Sequence, residues 1–312
     1  MFRTDLFAGK RFLVTGGGTG LGRIMLEKFV ELGADCVICG RRGSVLEETA
    51  KEVMAKHPGR KVEAHTVDIR VATAVEEMVE RIWANGPLDG LVNNAAGNFI
   101  SQTKDLSPRA FDAIANIVLH GTFYVTNACG RRWIAEQRKA SVISILTTWV
   151  WTGSPFVVPS AMSKAGVAVM TQSLAVEWGR HGIRLNAIAP GPFPTEGAWA
   201  RLNPMGDSDN RYKNRNPLGR VGKPHELANM AAFKAHSSFG FWNRHENETG
   251  REGEAMGQFG RIIPTTYSAR NAAGQAIDVY DGGNYSIVSG NTNQPDWNTQ
   301  RYNFKADLAR DF

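Results

Sequence analysis

Phe12-Leu13-Val14-Thr15-Gly16-Gly17-Gly18-Thr19-Gly20-Leu21-Gly22 opens with three apolar residues, runs through a glycine-rich turn and leads into a helical stretch, Leu21–Leu32. Glycines at such a turn let the chain tighten. They also let backbone N–H groups at the helix N-terminus approach a pyrophosphate. A glycine-rich loop alone is a weak sign, but this one has the strand before it and the helix after it that a dinucleotide-binding turn requires. Thr15, Gly16, Gly18, Thr19, Gly20, Leu21 and Gly22 are therefore the first candidate cofactor residues.

Around this turn, short apolar runs alternate with longer amphipathic stretches. Phe12-Leu13-Val14, Cys36-Val37-Ile38, Val62–Val67, Leu88–Val92, Ser141–Leu146, Leu185–Ala189 and Ala276–Val279 read as strands. Leu21–Leu32, Val45–Lys56, Thr73–Trp83, Pro108–Gln137, Ser160–Arg180 and Pro224–Phe233 read as helices. That alternation is the mark of βαβ units. With right-handed crossovers it predicts an α/β, Rossmann-type, doubly wound fold. The sheet is expected to be parallel, with about seven strands in the order 3-2-1-4-5-6-7 and helices on both faces. Residues 1–312 are expected to form one domain, with an aperiodic insertion at 234–273 and a polar surface tail at 289–312. Such an insertion is read as a loosely packed surface excursion, with an altered subunit contact as the alternative.

The chain has 312 residues, of which 42% are hydrophobic, enough for a large core. A mean hydropathy of −0.28 and the lack of a long apolar run predict a soluble protein without a membrane span. With no secretory signal at Met1–Lys10, a cytoplasmic location is expected. Cys36, Cys39 and Cys129 are an odd and sparse set, which suits a reducing compartment. Cys36 and Cys39 have CxxC spacing but lie on one strand, so they should point to opposite faces. The net charge of +6 suggests anionic ligands. The basic residues are spread out rather than gathered in one run, which favours phosphorylated small molecules over nucleic acid. The histidines have no metal-ligand spacing, so no metal is expected.

The second strand leads into Arg41-Arg42, where an NAD-preferring site usually has a carboxylate. Two guanidiniums there can grip a 2′-phosphate, so NADPH/NADP+ is the expected cofactor, with a solvated basic loop as the alternative. Asp68, with Ile69 beside it, is placed to reach the adenine. Asn93-Asn94-Ala95-Ala96-Gly97 follows the fourth strand, and its small residues let the chain pass close to the cofactor.

These residues, with the Lys164 region, Pro190-Gly191-Pro192 and Asp281-Gly282-Gly283, resemble the short-chain dehydrogenase/reductase family. The resemblance covers Gly9 to about Phe233 and resumes over Gly274–Tyr285. Asn98-Phe99-Ile100-Ser101, Phe156–Ala161 and Pro190–Ala198 are similar to the 2,4-dienoyl-CoA reductase branch. The resemblance implies NADPH-dependent reduction of a dienoyl thioester, an acyl-CoA-type substrate and a homotetramer. It places Lys164, Pro190, Gly191, Pro192 and Phe193 at the cofactor and a substrate lid at 193–223.

Most of the family pairs Lys164 with a tyrosine four residues earlier, where this chain has Ser160. The dienoyl-CoA branch also has serine there and takes its tyrosine from just after the fifth strand. Here that position is Trp149. An indole N–H donates a hydrogen bond but does not shuttle a proton near neutral pH. Conjugate reduction tolerates this better than ketone reduction, because its immediate need is a donor to a dienolate oxygen. Asn98 is expected to be that donor, with Trp149 or Ser160 as a second and water as the proton source. A slow reductase is the expectation. A general alcohol or 3-oxoacyl oxidoreductase and a cofactor-binding non-catalytic relative are the alternatives.

Phe99, Thr147, Arg201 and Arg220 complete the candidate substrate contacts. Arg201, Lys213, Arg215, Arg220 and Lys223 are placed to hold CoA phosphates, unless that segment is merely solvated. Asn116 lies two residues before the family's mid-helix asparagine position, which is Val118 here, and is read as structural.

Overall fold

Strand β1 (Arg11–Thr15) sits in the middle of a parallel sheet because its side chains are apolar on both faces. Phe12 and Val14 pack on one side, Leu13 on the other, and all three are buried. The computed structural model describes residues 2–195 and 218–236, with the backbone of 262–264, 269–270 and 276–277. The substrate lid expected at 193–223 and the insertion expected at 234–273 lie largely outside these residues, and the tail at 289–312 wholly so.

β2 (Asp35–Gly40), β3 (Val62–Thr66), β4 (Gly90–Asn93), β5 (Ala140–Ile145) and β6 (Ile183–Ala189) complete the main sheet in the order β3-β2-β1-β4-β5-β6. The register runs Phe12↔Cys36 on one side of β1 and Phe12↔Gly90 on the other. This is the Rossmann-type arrangement read from the sequence, and its strand order reverses between β1 and β4. Cys36 and Cys39 fall in hydrophobic clusters on opposite faces, as strand alternation requires.

The strand expected at Ala276–Val279 does not join this sheet. Ala276–Ile277 pairs antiparallel with Ala269–Arg270, and the backbone of Ile262–Pro264 runs parallel beside β6 instead. Ile262-Ile263-Pro264 suits an outer position, since β-branched residues favour strands and proline is tolerated at an edge. It lies inside the stretch read as an aperiodic insertion.

Helices α1 (Gly20–Glu31), α2 (Gly43–Lys56) and α8 (Pro224–His236) share one face of the sheet. α3 (Ala72–Ala84), α5 (Gly121–Ala135) and α7 (Val158–Gly179) share the other. The stretch expected as one helix, Pro108–Gln137, is divided. α4 (Pro108–Ala115) starts on a Ser107 cap whose Oγ accepts from Ala110 N, then one π-helical turn (Asn116–His120) leads into α5. Arg184 donates to the carbonyls of Lys234 and Ala235 and so caps α8, which runs three residues past the expected Phe233. Among the described residues no helix is long and apolar enough to cross a membrane.

Candidate active site

The crevice between the C-terminal ends of β1 and β4 is where a doubly wound sheet binds ligand, and hydrogen bonds fix its floor. Thr15 Oγ1 accepts from Asn94 N and Ala95 N, both at 3.0 Å. The Asn94 side chain donates back to the carbonyls of Thr15 at 2.9 Å and Gly16 at 3.3 Å. Asn94, expected to touch the cofactor, thus braces the two strand ends with its amide.

The glycine turn is shaped by close approach. Gly16 has φ +66°, a conformation that glycine adopts without penalty. A Cβ on Gly22 would overlap the Gly16 carbonyl and lie 2.5 Å from Asn94 Nδ2. Thr49 Oγ1 holds the turn from outside through Gly18 O at 2.8 Å. Thr19 is extended and makes no side-chain cap to α1, so backbone donors of the first turn face the crevice. This cradle fits a pyrophosphate.

At the adenosine end, Arg41 and Arg42 are exposed, and Arg42 Nη2 reaches Thr19 Oγ1 at 3.4 Å. The Asp68 carboxylate is held by Arg70 through Nε at 2.9 Å and Nη2 at 2.5 Å. The Arg70 hydrogen bonds, with Arg41 nearby, hold this carboxyl below the usual carboxylate range. Arg70 was not singled out from the sequence, because its pairing with Asp68 depends on the turn after β3. Ile69 is buried and packs where Gly121 leaves room at the start of α5.

At the other end, Ser160 and Lys164 lie one turn apart on the buried face of α7, with 4% and 5% exposure. Lys164 Nζ donates to Ile145 O, and burial lowers the amine to about 8. Thr147, just past β5, has a buried Oγ1 without a hydrogen-bond partner among the described residues. Asn98 accepts from Phe99 N through Oδ1 at 2.9 Å, which leaves its Nδ2 end as the available donor. Trp149 begins the four-residue helix α6 (Trp149–Thr152), an element missed in the sequence because it is shorter than any periodicity. Tyr124 is the single tyrosine among the described residues, and its neighbours His120 and Phe123 lie on the same helical surface.

Pro190, Gly191 and Pro192 follow β6. Phe193 is an anchor, 4% exposed, whose ring occupies the space beside Gly222, while Gly222 N donates to Pro192 O. Thr195 lies over the glycine turn, 3.8 Å from a Cβ built on Gly20. Thr195 belongs to the Pro190–Ala198 stretch that resembles the dienoyl-CoA reductase branch but was not named among the expected cofactor residues. Arg220, expected to hold a CoA phosphate, is engaged by Glu226 through Nη1 at 3.0 Å and Nη2 at 2.5 Å. Arg201 lies outside the described residues. Asn116 bonds the His120 ring at 2.9 Å, and Val118 is fully buried.

The family model described as short chain dehydrogenase matches residues 10–204. The chain belongs to the short-chain dehydrogenase family. An uncharacterised oxidoreductase of Caenorhabditis elegans is 50% identical over 239 residues, 75% of this chain and 75% of the relative. A probable 2,4-dienoyl-CoA reductase of the same organism, named as (3E)-enoyl-CoA-producing, is 46% identical over 248 residues, 78% and 80% of the two chains. The similarity is thus to the dienoyl-CoA reductase branch. A solved structure from Beutenbergia cavernae, described as an NAD(P)-dependent gluconate 5-dehydrogenase with NADP bound at low occupancy, has 27% identity and a TM-score of 0.69. That comparison covers 74% of this chain and 91% of the other. As a family member, this chain is an oxidoreductase of the nicotinamide-dinucleotide class.

Proposed function

We propose that this oxidoreductase is an NADPH-dependent reductase of 2,4-dienoyl-CoA or related enoyl-CoA thioesters, and a slow one. The observation that carries the reading is the composition of the catalytic corner. Lys164 and Ser160 share a buried helix face, Asn98 presents an amide donor, and the tyrosine positions hold Ser160 and Trp149. A corner to which the described residues bring no phenol suits a reaction that stabilises a substrate oxyanion better than one that protonates an alkoxide.

When bound, NADPH supplies the hydride. The backbone of Thr15–Gly22 holds its pyrophosphate, Arg41 and Arg42 its 2′-phosphate, and Lys164 its nicotinamide ribose. Asn98 Nδ2 donates to the thioester oxygen as charge develops there, with the Trp149 indole or Ser160 as a second donor. Water delivers the final proton. The relatives named as dienoyl-CoA reductases support the thioester as substrate.

The protein also acts as a homotetramer in this reading. Met162, Val169 and Val176 recur every seven residues on α7 and are exposed, and Phe123 is exposed on α5. Such a stripe on a long helix supports a subunit contact. Three buried free thiols suit a reducing, cytoplasmic setting.

The test follows NADPH absorbance with a 2,4-dienoyl-CoA, a 3-oxoacyl-CoA and no substrate. Oxidation with the dienoyl thioester alone is expected. Turnover of the 3-oxoacyl thioester alone, or cofactor binding without turnover of either, would overturn the reading.

A further inference from the structure

Two loops border the catalytic corner, and both lack charge. Gly90–Thr103 and Ala140–Ser163 contain no Asp, Glu, Lys, Arg or His, in a chain that is 21% charged. Burial explains this for β4 and β5 but not for the loops that follow them, where Ile100 is 44% exposed, Trp151 53% and Phe156 48%. Surface loops are ordinarily polar, so three large apolar side chains exposed on the loops that carry Asn98 and Trp149 call for an occupant.

These side chains stand on a built support. Ser101 N donates to Phe156 O at 2.9 Å, which ties the loop after β4 to the loop before α7. Val150 packs against the cluster around Leu146 and Val167, so α6 is anchored and Trp151 is displayed from a fixed turn. Phe156 has φ +67°, a left-handed backbone that a phenylalanine rarely adopts. Backbone strain combined with an exposed ring contributes nothing evident to folding, and such combinations gather at ligand sites.

We propose that Ile100, Trp151 and Phe156 form the shelf along which the acyl tail of the substrate lies, and that they set its chain-length preference. This rests on the thioester reading of the site. An acyl tail is the neutral, apolar occupant that an uncharged shelf beside Asn98 and Trp149 fits. A shelf covers one side of the chain, so each methylene gains about half of what full burial gives, or about twofold in affinity.

The test measures binding of butyryl-CoA and decanoyl-CoA, which are not reduced, to the NADP+-loaded protein by calorimetry. The wild type is expected to prefer decanoyl-CoA by roughly sixtyfold, the product of about twofold for each of about six added methylenes. Trp151→Ser with Phe156→Gly is expected to cut that preference to about threefold while leaving butyryl-CoA affinity unchanged. Glycine accepts the φ at 156 without strain, so the variant keeps the fold. An unaltered preference in the variant overturns the shelf, even if the variant changes subunit assembly. Reduction of a dienoyl-CoA with an unaltered preference rejects the shelf and keeps the thioester reading. A lost preference without dienoyl-CoA reduction keeps the shelf and rejects the reductase. Absence of binding by both thioesters overturns both.

Discussion

Lys164 donates its Nζ to the carbonyl of Ile145, the last residue of β5, and so pins α7 to the strand that ends beside Thr147. One buried amine therefore fixes where Ser160 lies relative to the β5 end. The bond also replaces part of the hydration that Lys164 loses, but it leaves the amine with a lowered affinity for its proton.

That lowering sets a stability profile. Burial takes the Lys164 amine from 10.5 to about 8. Between those values the unfolded chain holds more protons than the folded one, so stability rises with pH through this window. Over the whole window the rise is roughly 3 kcal/mol. Lys164→Met removes the titration, and its stability relative to wild type is expected to be greatest below pH 8 and to shrink toward pH 10. Urea unfolding of both proteins across this range checks it. A difference that does not vary with pH contradicts the assignment.

Gly22→Ala tests the cradle. The added methyl would overlap the Gly16 carbonyl and press on Asn94, which braces both strand ends. Overpacking of this kind costs about 1–3 kcal/mol. NADPH affinity is expected to fall at least tenfold, because the displaced turn is the proposed phosphate site. Gly18→Ala is the comparison, since its Cβ would meet only Leu46 and Val45 side chains at 3.1 Å and beyond. Fluorescence titration and thermal unfolding distinguish the two. Equal effects from both variants would argue against the steric account.

Most of the sheet was legible because strands buried on both faces leave continuous apolar runs, as in Phe12–Val14 and Cys36–Ile38. The glycine turn was legible because only backbone fits there. Other features depend on contacts that no local pattern encodes. The π turn at Asn116–His120 preserves helical periodicity well enough to hide inside Pro108–Gln137. Asn94 was placed at the cofactor, yet its amide bonds carbonyls distant in the chain. Arg220 was read as a phosphate ligand from its charge, and the Glu226 that engages it lies on the next helix. The strand at Ile262–Pro264 is too short to display alternation.

Cofactor choice is expected to follow Arg41. It is exposed at the end of β2, near the Asp68 and Arg70 pair, and no carboxylate stands at 41 or 42 to bond a ribose hydroxyl pair. Losing one charge-assisted contact to a 2′-phosphate costs roughly 2 kcal/mol. Arg41→Ala should therefore weaken NADPH binding about thirtyfold and leave NADH nearly unchanged. Titration with both nucleotides checks it. An unchanged ratio would mean that the 2′-phosphate lies elsewhere.

Trp149→Tyr tests the catalytic corner. Trp149 is half-buried at the first position of α6, where Val150 anchors the turn, so a smaller aromatic is accommodated without disturbing the fold. A phenol at that position offers both a stronger donor to a developing oxyanion and a proton. One oxyanion donor is worth on the order of a hundredfold in rate, and a partly aligned one less. The variant is expected to raise kcat for a dienoyl-CoA about tenfold or more, with little change in KM, because the new bond strengthens only as charge develops. Asn98→Ala should lower kcat in both backgrounds. If Trp149→Tyr leaves kcat unchanged while Asn98→Ala still lowers it, the indole position takes no part in stabilising the oxyanion.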